Sequence, residues 1–351
     1  MDSARSWFVN EIPPVFVFST GRCGSTMISE MLNMHPDILS ISEFFSALGP
    51  NAFAGKKITG EFMWRLYSEP GKRLAIVRRE SFSELLYPFD DPGARFDAAT
   101  LPPIMAVSLP HLTNRYEELY DEIEKIVRAQ PKAFPNDHYR TLFNWLGERF
   151  ERKLWVERHG GSLLMASRLL RHFPEARVVH MFRDGRETTL SMSNHPPFRV
   201  MLALMRRARR WGIDAYRLLE RLERSDRLTS MIDTLQWLLS DIDSLLSEPP
   251  TLPEAGEFWS NMIETGYRVF GHFGPDRLLE LRFEEMQENP EGEARRLIEF
   301  ISPELESEAW ISEVARLPRR TPSKFARLAP DAQRAVTEAC RPGLERLGYA
   351  V

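Results

Sequence analysis

Residues 15–27 read VFVFSTGRCGSTM. An apolar run from Val15 to Phe18 enters a turn bracketed by Gly21 and Gly24, and a helical pattern follows from Gly24 to about Asn33. A short run that is apolar on both faces suits a strand buried inside a parallel sheet. The first turn of the following helix leaves backbone N–H groups without intrahelical partners, and the helix dipole adds about half a positive charge there. Gly21 and Gly24 permit loop conformations closed to other residues and let an oxygen approach the main chain closely. Ser25 and Thr26 add hydroxyl donors, and Arg22 adds a permanent charge. The stretch predicts an anion site at the edge of a parallel sheet; packing alone is the competing explanation for a glycine-rich turn.

Spacing separates this loop from other phosphate loops. G-x-x-x-x-G-K-[ST] would need Gly and Lys where Thr26 and Met27 stand. The dinucleotide pattern G-x-G-x-x-G fails because Cys23 lies two places after Gly21. A thiol phosphatase with Arg six residues after its Cys would need Arg at Ser29.

A second stretch, ARVVHMFRDGRETTLSM, covers residues 176–192. Ala176 to Phe182 is largely apolar and β-branched, with Pro174 ahead of it, which predicts another buried parallel strand. Asp184 stands at an N-cap position, and Glu187 three residues on predicts a capping box. Arg183 would then end the strand, with Ser191 about two turns into the helix.

Together these segments resemble the sulfotransferases. Arg22-Cys23-Gly24-Ser25-Thr26 is similar to their 5′-phosphosulfate loop, [KR]-[SC]-G-[ST]-T. Sulfotransferases carry Arg and Ser at the separation of Arg183 and Ser191, a pair which by resemblance binds the 3′-phosphate of 3′-phosphoadenosine 5′-phosphosulfate (PAPS). LELRFEEMQENPEGEARRLIEFI resembles the segment after their last core strand, with Phe283 in place of the usual Tyr and so without that ring's hydroxyl. LWVERHGGSL resembles W-x-x-K-T-P, with Arg158 in place of Lys. The C-terminal TPSKFARLAPDAQRAVTEACRPGLERLGY resembles the closing helix of the bacterial members. The resemblance implies donor contacts from Thr20, Gly21, Arg22, Cys23, Gly24, Ser25, Thr26, Arg183, Ser191, Phe283 and Lys324, with Arg22 and Arg158 stabilising charge on the leaving phosphate. Cys23 stands at a helix N-terminus, where a thiol pKa can fall, but here it is expected to be a small loop residue rather than a nucleophile.

The acceptor hydroxyl needs a base. In tyrosylprotein and some bacterial sulfotransferases a Glu lies eight residues past an H-P-[DE] turn; Glu43 stands at that separation from His35 and inherits the role by resemblance. A carboxylate beside a bound anion would have its pKa raised towards the range useful for a base. A helix-capping or surface Glu is the alternative, and His35 is expected to fix its own turn. Two further readings differ in class: a nucleotide-dependent kinase, which would need Mg²⁺, and a non-catalytic nucleotide-binding protein, which would not need Glu43.

The rest of the chain fits one α/β domain over residues 1–351, a three-layer fold with a central parallel sheet and a P-loop-like phosphosulfate loop. Core blocks are expected at 13–43, 153–200 and 277–351, with mainly helical insertions at 44–150 and 200–275 covering the acceptor site. Helical patterns run over Tyr116 to Arg128 and Asp137 to Phe150; strands are expected at Lys153 to Glu157 and Arg177 to Phe182, a helix at Ser162 to Phe173, and a Pro-rich linker at Ser247 to Glu257. Phe44, Phe45, Phe53, Phe62, Trp64, Tyr67, Phe82 and Tyr87 either line an apolar pocket or form core. Arg206, Arg207, Arg209 and Arg210 either touch a phosphate or form a solvated face. The net charge of -4 argues against a general nucleic-acid binder. Two Cys and eight scattered His suggest neither a disulfide framework nor a metal site. MDSARSWFVNEIPP lacks a signal-peptide core and no apolar run is long enough to span a membrane. These features point to a metal-free cytoplasmic enzyme, and the resemblance implies a small-molecule or carrier-bound hydroxyl as its acceptor, which no charge pattern in 44–150 singles out.

Overall fold

The computed structural model describes residues 12–53, 55–70, 84–223, 225–226 and 242–351. Five parallel strands form the sheet: β1 (Val15–Ser19), β2 (Ile38–Ser42), β3 (Leu154–Arg158), β4 (Arg177–Phe182) and β5 (Leu278–Arg282), in the order β2-β3-β1-β4-β5. The chain winds from β1 to one side through β2 and β3, then to the other through β4 and β5. Open α/β sheets bind ligands outside the carboxyl ends of the strands where the winding reverses. The loop after β1 stands at that point.

Alternation along β1 explains the three layers. Phe16 and Phe18 point to one face, where they pack with Leu39, Ile41, Trp155 and Phe173. Val15 and Val17 point to the other, against Ile28, Met31 and Leu32 of the helix Ser25–Asn33 and Leu297 of the helix Pro290–Ile301. All five residues of β1 are buried, which accounts for its unbroken apolar character.

Residues 44–150 add helices to the first face. Phe44, Phe45, Phe53, Tyr67, Tyr139 and Phe143 are buried together, with edge-to-face pairs such as Phe45–Tyr139 at 4.9 Å and Phe44–Phe143 at 5.0 Å. Such pairing adds roughly 0.5–1.5 kcal/mol per pair beyond area burial. Trp64 and Tyr87 are also core, whereas Phe62 is exposed; Phe82 lies outside the described residues. The helix Tyr116–Arg128 matches the expected bounds, and its neighbour runs Pro135–Arg149.

Three expectations need correction. Asp184 does cap its helix, accepting from Arg186 N at 2.9 Å, but Glu187 does not complete a box. Its carboxylate instead accepts from Ser323 Oγ (2.5 Å) and Phe325 N (2.9 Å), while Asp184 N donates to Glu284. The reciprocal capping box lies at Thr251 and Glu254. It starts the helix Leu252–Phe270 inside the stretch expected to be a linker. The expected helix from Ser162 begins as a 3₁₀ turn, Ser162–Met165, before Ala166–His172. The insertion expected over 200–275 is mainly helical where described, with Gly212 at a left-handed φ of 70° separating Pro196–Arg210 from Ala215–Glu223; residues 227–241 lie outside the described residues. Of the four arginines, Arg209 and Arg210 lie on a solvated face, with surface ion pairs to Glu257 and Glu248, whereas Arg206 is mostly buried against Glu248 and Glu254 and Arg207 donates to Ser244 Oγ.

Candidate active site

The loop between β1 and the first helix is held from both sides. Ser19 N donates to Ser162 Oγ at 2.8 Å, and Gly21 N donates to Ser19 Oγ at 3.2 Å. Thr20 is buried, with its hydroxyl donating to Gly21 O at 3.0 Å. Gly21, Arg22 and Gly24 all have left-handed φ values, 76°, 59° and 93°. For Arg22 this backbone costs roughly 1–2 kcal/mol, a strain that tends to persist where function needs it. Gly24 is required twice over, by its φ and because a Cβ there would lie 2.4 Å from Phe283 Cδ2. Gly24 caps the helix Ser25–Asn33 with no side-chain hydrogen bond. The first turn is thus uncapped by any side chain; Met27 N donates to Gly24 O at 3.0 Å, beside Ser25, which is buried, and Thr26, which is exposed. Cys23 turns into the core and donates to Met181 O at 3.3 Å. Burial pushes its thiol above the ordinary cysteine value, overriding any lowering by the helix end.

Arg22 reaches across to the second motif. Its Nε donates to Ser191 Oγ at 3.1 Å and its Nη1 to Glu84 Oε1 at 2.8 Å. Arg183, at the end of β4, lies elsewhere. Its guanidinium rests over the Phe283 ring at 4.8 Å and 3.8 Å from Glu187. Among the described residues no hydrogen bond joins Arg183 to Ser191, so the residues expected to act as one pair stand on different neighbours. Lys324 is exposed between Ser323 and Phe325, the two partners of Glu187. Arg183, Phe283 and Lys324 thus gather around Glu187 on the β4 side of the loop.

Glu43 ends β2 on the opposite flank, also in a left-handed conformation with φ 57°. Its carboxylate pairs with buried Arg158 at the end of β3 and accepts from Gly160 N at 3.0 Å and Ser46 Oγ at 2.5 Å. It makes no side-chain cap to the short helix Phe44–Leu48, which removes the helix-cap alternative. Parallel pairing sets Arg158 beside Ser42 on one neighbour and Val17 on the other, so register alone brings this ion pair to the loop. Gly161 N would lie 3.2 Å from a Cβ on Gly21, which places the Glu43-binding turn directly against the loop. Two arginine–carboxylate pairs therefore flank the glycine turn, Arg158–Glu43 and Arg22–Glu84.

Residues 110–307, more than half of the chain, match the sulfotransferase family. The chain belongs to the sulfotransferase family. The matched residues include Arg158, Arg183, Ser191 and Phe283, while the loop, Glu43 and Lys324 lie outside the match. Among solved structures, the sulfotransferase domain of the Synechococcus PCC 7002 olefin synthase is 15% identical, with a TM-score of 0.47 over 98% of each chain. Sulfotransferase STF9 from Mycobacterium avium is 17% identical, with a TM-score of 0.44 over 97% of this chain and 78% of its own. No protein of curated function matches the sequence. Among the described residues of this sulfotransferase no group of His, Cys, Asp or Glu is placed to hold a metal ion, and no helix is long and apolar enough to cross a membrane.

His35 accepts from Asp37 N through Nδ1 at 3.1 Å, which puts the ring proton on Nε2, where it donates to Leu305 O at 2.9 Å. With both ring nitrogens engaged it fixes the turn, as expected. Three residues around the candidate site carry no sequence signal: Glu84, His195 and His111. Each reaches the site through contacts across scores of residues, with no periodicity or motif to mark it. His111 Nε2 lies 3.4 Å from Ser29 Oγ and Ser40 Oγ, and burial, aided by the Arg158 charge and opposed by Glu43, pushes its pKa from 6.5 down to about 4.

The unfolded chain therefore takes up this proton before the folded one does. Stability present above pH 6.5 is lost as the pH falls through about 4. At full protonation the loss is about 3 kcal/mol. Denaturant unfolding of His111→Asn at pH 7 and pH 4 should show a smaller acid loss than the parent chain. An unchanged loss would assign the acid sensitivity to other groups.

Proposed function

We propose that this sulfotransferase moves the sulfuryl group from PAPS to a hydroxyl of a small-molecule or carrier-bound acceptor, with Glu43 as the general base. The observation that carries this reading is the Arg22–Ser191 hydrogen bond of 3.1 Å, which joins the glycine turn to the helix after β4. A donor phosphorylated at both the 3′ and 5′ positions of its ribose needs such a bipartite site. A triphosphate carries its charges in one chain and usually brings Mg²⁺.

In this reading the loop amides with Arg22, Ser25 and Thr26 hold the 5′ end of the donor, and Thr20, Gly21, Cys23 and Gly24 shape the turn that presents them. Ser191 stands where the two halves meet, and Arg183, Phe283 and Lys324 serve the 3′-phosphate half. The acceptor oxygen attacks sulfur in line as the bond from sulfur to the bridging phosphate oxygen breaks. The hydroxyl proton passes to a Glu43 oxygen, and the electron pair leaves on the 5′-phosphate of 3′-phosphoadenosine 5′-phosphate (PAP). Catalysis of this kind comes mainly from positioning and from stabilising the leaving charge. Arg158 adds a fixed cation on the Glu43 flank and, through its ion pair, orients the base.

Arg183→Ala tests the division of labour. It should weaken PAP binding about tenfold or more, the scale expected for losing one charge-assisted contact, and barely change binding of adenosine 5′-phosphosulfate, which lacks the 3′-phosphate. Equal losses for the two nucleotides by calorimetry would refute the 3′ assignment.

A further inference from the structure

Glu84 is the residue that the proposed reaction does not use, yet it is bonded to the loop cation. Its Oε1 accepts from Arg22 Nη1 at 2.8 Å and lies 2.8 Å from His195 Nε2, and its Oε2 lies 2.7 Å from the same His195 nitrogen. Arg22 and Glu84 are each a little over one-third exposed, whereas the His195 side chain is only 12% exposed. Partial burial would raise the Glu84 carboxyl, but His195 and Arg22 together hold it below the ordinary glutamate value. With Nε on Ser191 and Nη1 on Glu84, only Nη2 of the Arg22 fork has no protein partner among the described residues.

This arrangement creates a conflict at the loop. An arginine already matched by a carboxylate projects little field, and a carboxylate left beside an incoming phosphosulfate repels it. Glu84 is tethered in the same chain, so it competes at an effective concentration that a freely diffusing weak anion cannot reach. A ligand that also meets the positive end of the helix Ser25–Asn33, which no side chain caps, has a second source of affinity and can take Arg22 from it. His195 then keeps the released carboxylate from standing unpaired.

We propose that Glu84 is a specificity-determining residue, an internal counter-anion that closes the Arg22 half of the donor site to simple anions and yields it to a phosphate-type group that engages the loop amides. The inference rests on the reading that this loop takes the 5′ end of the donor. Its consequence is that the empty site rejects single weak anions and selects ligands by the phosphate group they bring to the loop.

The test compares the parent chain with Glu84→Gln by calorimetry, using PAP, adenosine 3′-monophosphate and inorganic pyrophosphate as probes. Removing the competing charge should tighten PAP and pyrophosphate about fivefold, the scale of a half-exposed ion pair. Adenosine 3′-monophosphate, which brings nothing to Arg22, should be unaffected. In an Arg22→Ala background the gain should vanish. Unchanged or weaker binding of PAP and pyrophosphate would overturn the proposal, as would an equal gain for all three probes or a gain that survives Arg22→Ala. If PAP binds neither protein while pyrophosphate still gains from Glu84→Gln, the counter-anion role stands and the nucleotide reading falls. Glu84→Asp, which keeps the charge but draws it back from Arg22, should move PAP and pyrophosphate in the same direction and carries the test if the amide variant does not fold.

Discussion

Arg22→Ala should reduce sulfuryl transfer about 10²- to 10³-fold, the range seen when one preorganised donor to a developing oxyanion is removed. Arg22 is the charged side chain of the glycine turn, and from its left-handed backbone the guanidinium reaches Ser191 Oγ at 3.1 Å, where the proposed donor site lies. The loss should appear in donor affinity as well as in turnover, because the same cation serves the bound donor and the departing phosphate. Arg22→Lys should recover only part of it: an ammonium keeps the charge but has no planar fork with which to hold Ser191 and the ligand at once. The variant also releases Glu84 from its cation. PAP binding in Arg22→Ala should therefore stay weak even when Glu84 is replaced as well. Transfer within about twofold of the parent chain would remove Arg22 from the chemistry.

Glu43→Gln should have an effect of a different kind. A general base typically contributes about 10²- to 10⁴-fold, so turnover should fall by that amount while PAP affinity stays nearly constant. The amide keeps the size of the side chain; its oxygen can still accept from Gly160 N and its NH2 can donate to Ser46 Oγ, the two neutral partners of Glu43. It cannot neutralise Arg158, which is only 3% exposed. Leaving a charge-assisted partner unmatched costs roughly 1–3 kcal/mol, so the variant should also unfold at lower denaturant concentration. Donor affinity separates the two consequences. A variant that binds PAP normally but does not turn over has lost the base; one that loses both has lost the local fold. Full turnover with normal PAP binding would exclude Glu43 as the base.

Much of this geometry was legible in the chain because it depends on local chemistry. Strand β1 and its loop follow from an apolar run that meets two glycines, and the positive φ values of Gly21 and Gly24 are the physical reason for both. The positions of Arg158 and Glu43 follow from strand ends in register, which the H-P-D turn and the W-x-x-R segment marked from opposite sides. The less legible features depend on distant contacts. Glu187 had every local reason to complete a capping box with Asp184, yet Ser323 and Phe325 offered its carboxylate two donors and Glu284 took the Asp184 amide. Thr251 and Glu254, hidden in a Pro-rich stretch, formed the box instead because proline is tolerated in the first turn of a helix. Phe283 was read as a missing hydroxyl; its ring fills the space over Gly24 and under Arg183, a role that only packing reveals. Glu84, His111 and His195 carry no pattern at all, since each acts through partners from other parts of the chain.

The central claim is that the Arg22 loop and the Arg183–Ser191 segment form one site for a nucleotide phosphorylated at both ends of its ribose. Calorimetric titration of the intact chain with PAP, and separately with ATP and Mg²⁺, tests it directly. PAP should bind at least about tenfold more tightly, equivalent to about 1.4 kcal/mol, and without added metal. Preference for ATP with Mg²⁺, or no binding of PAP, would contradict it.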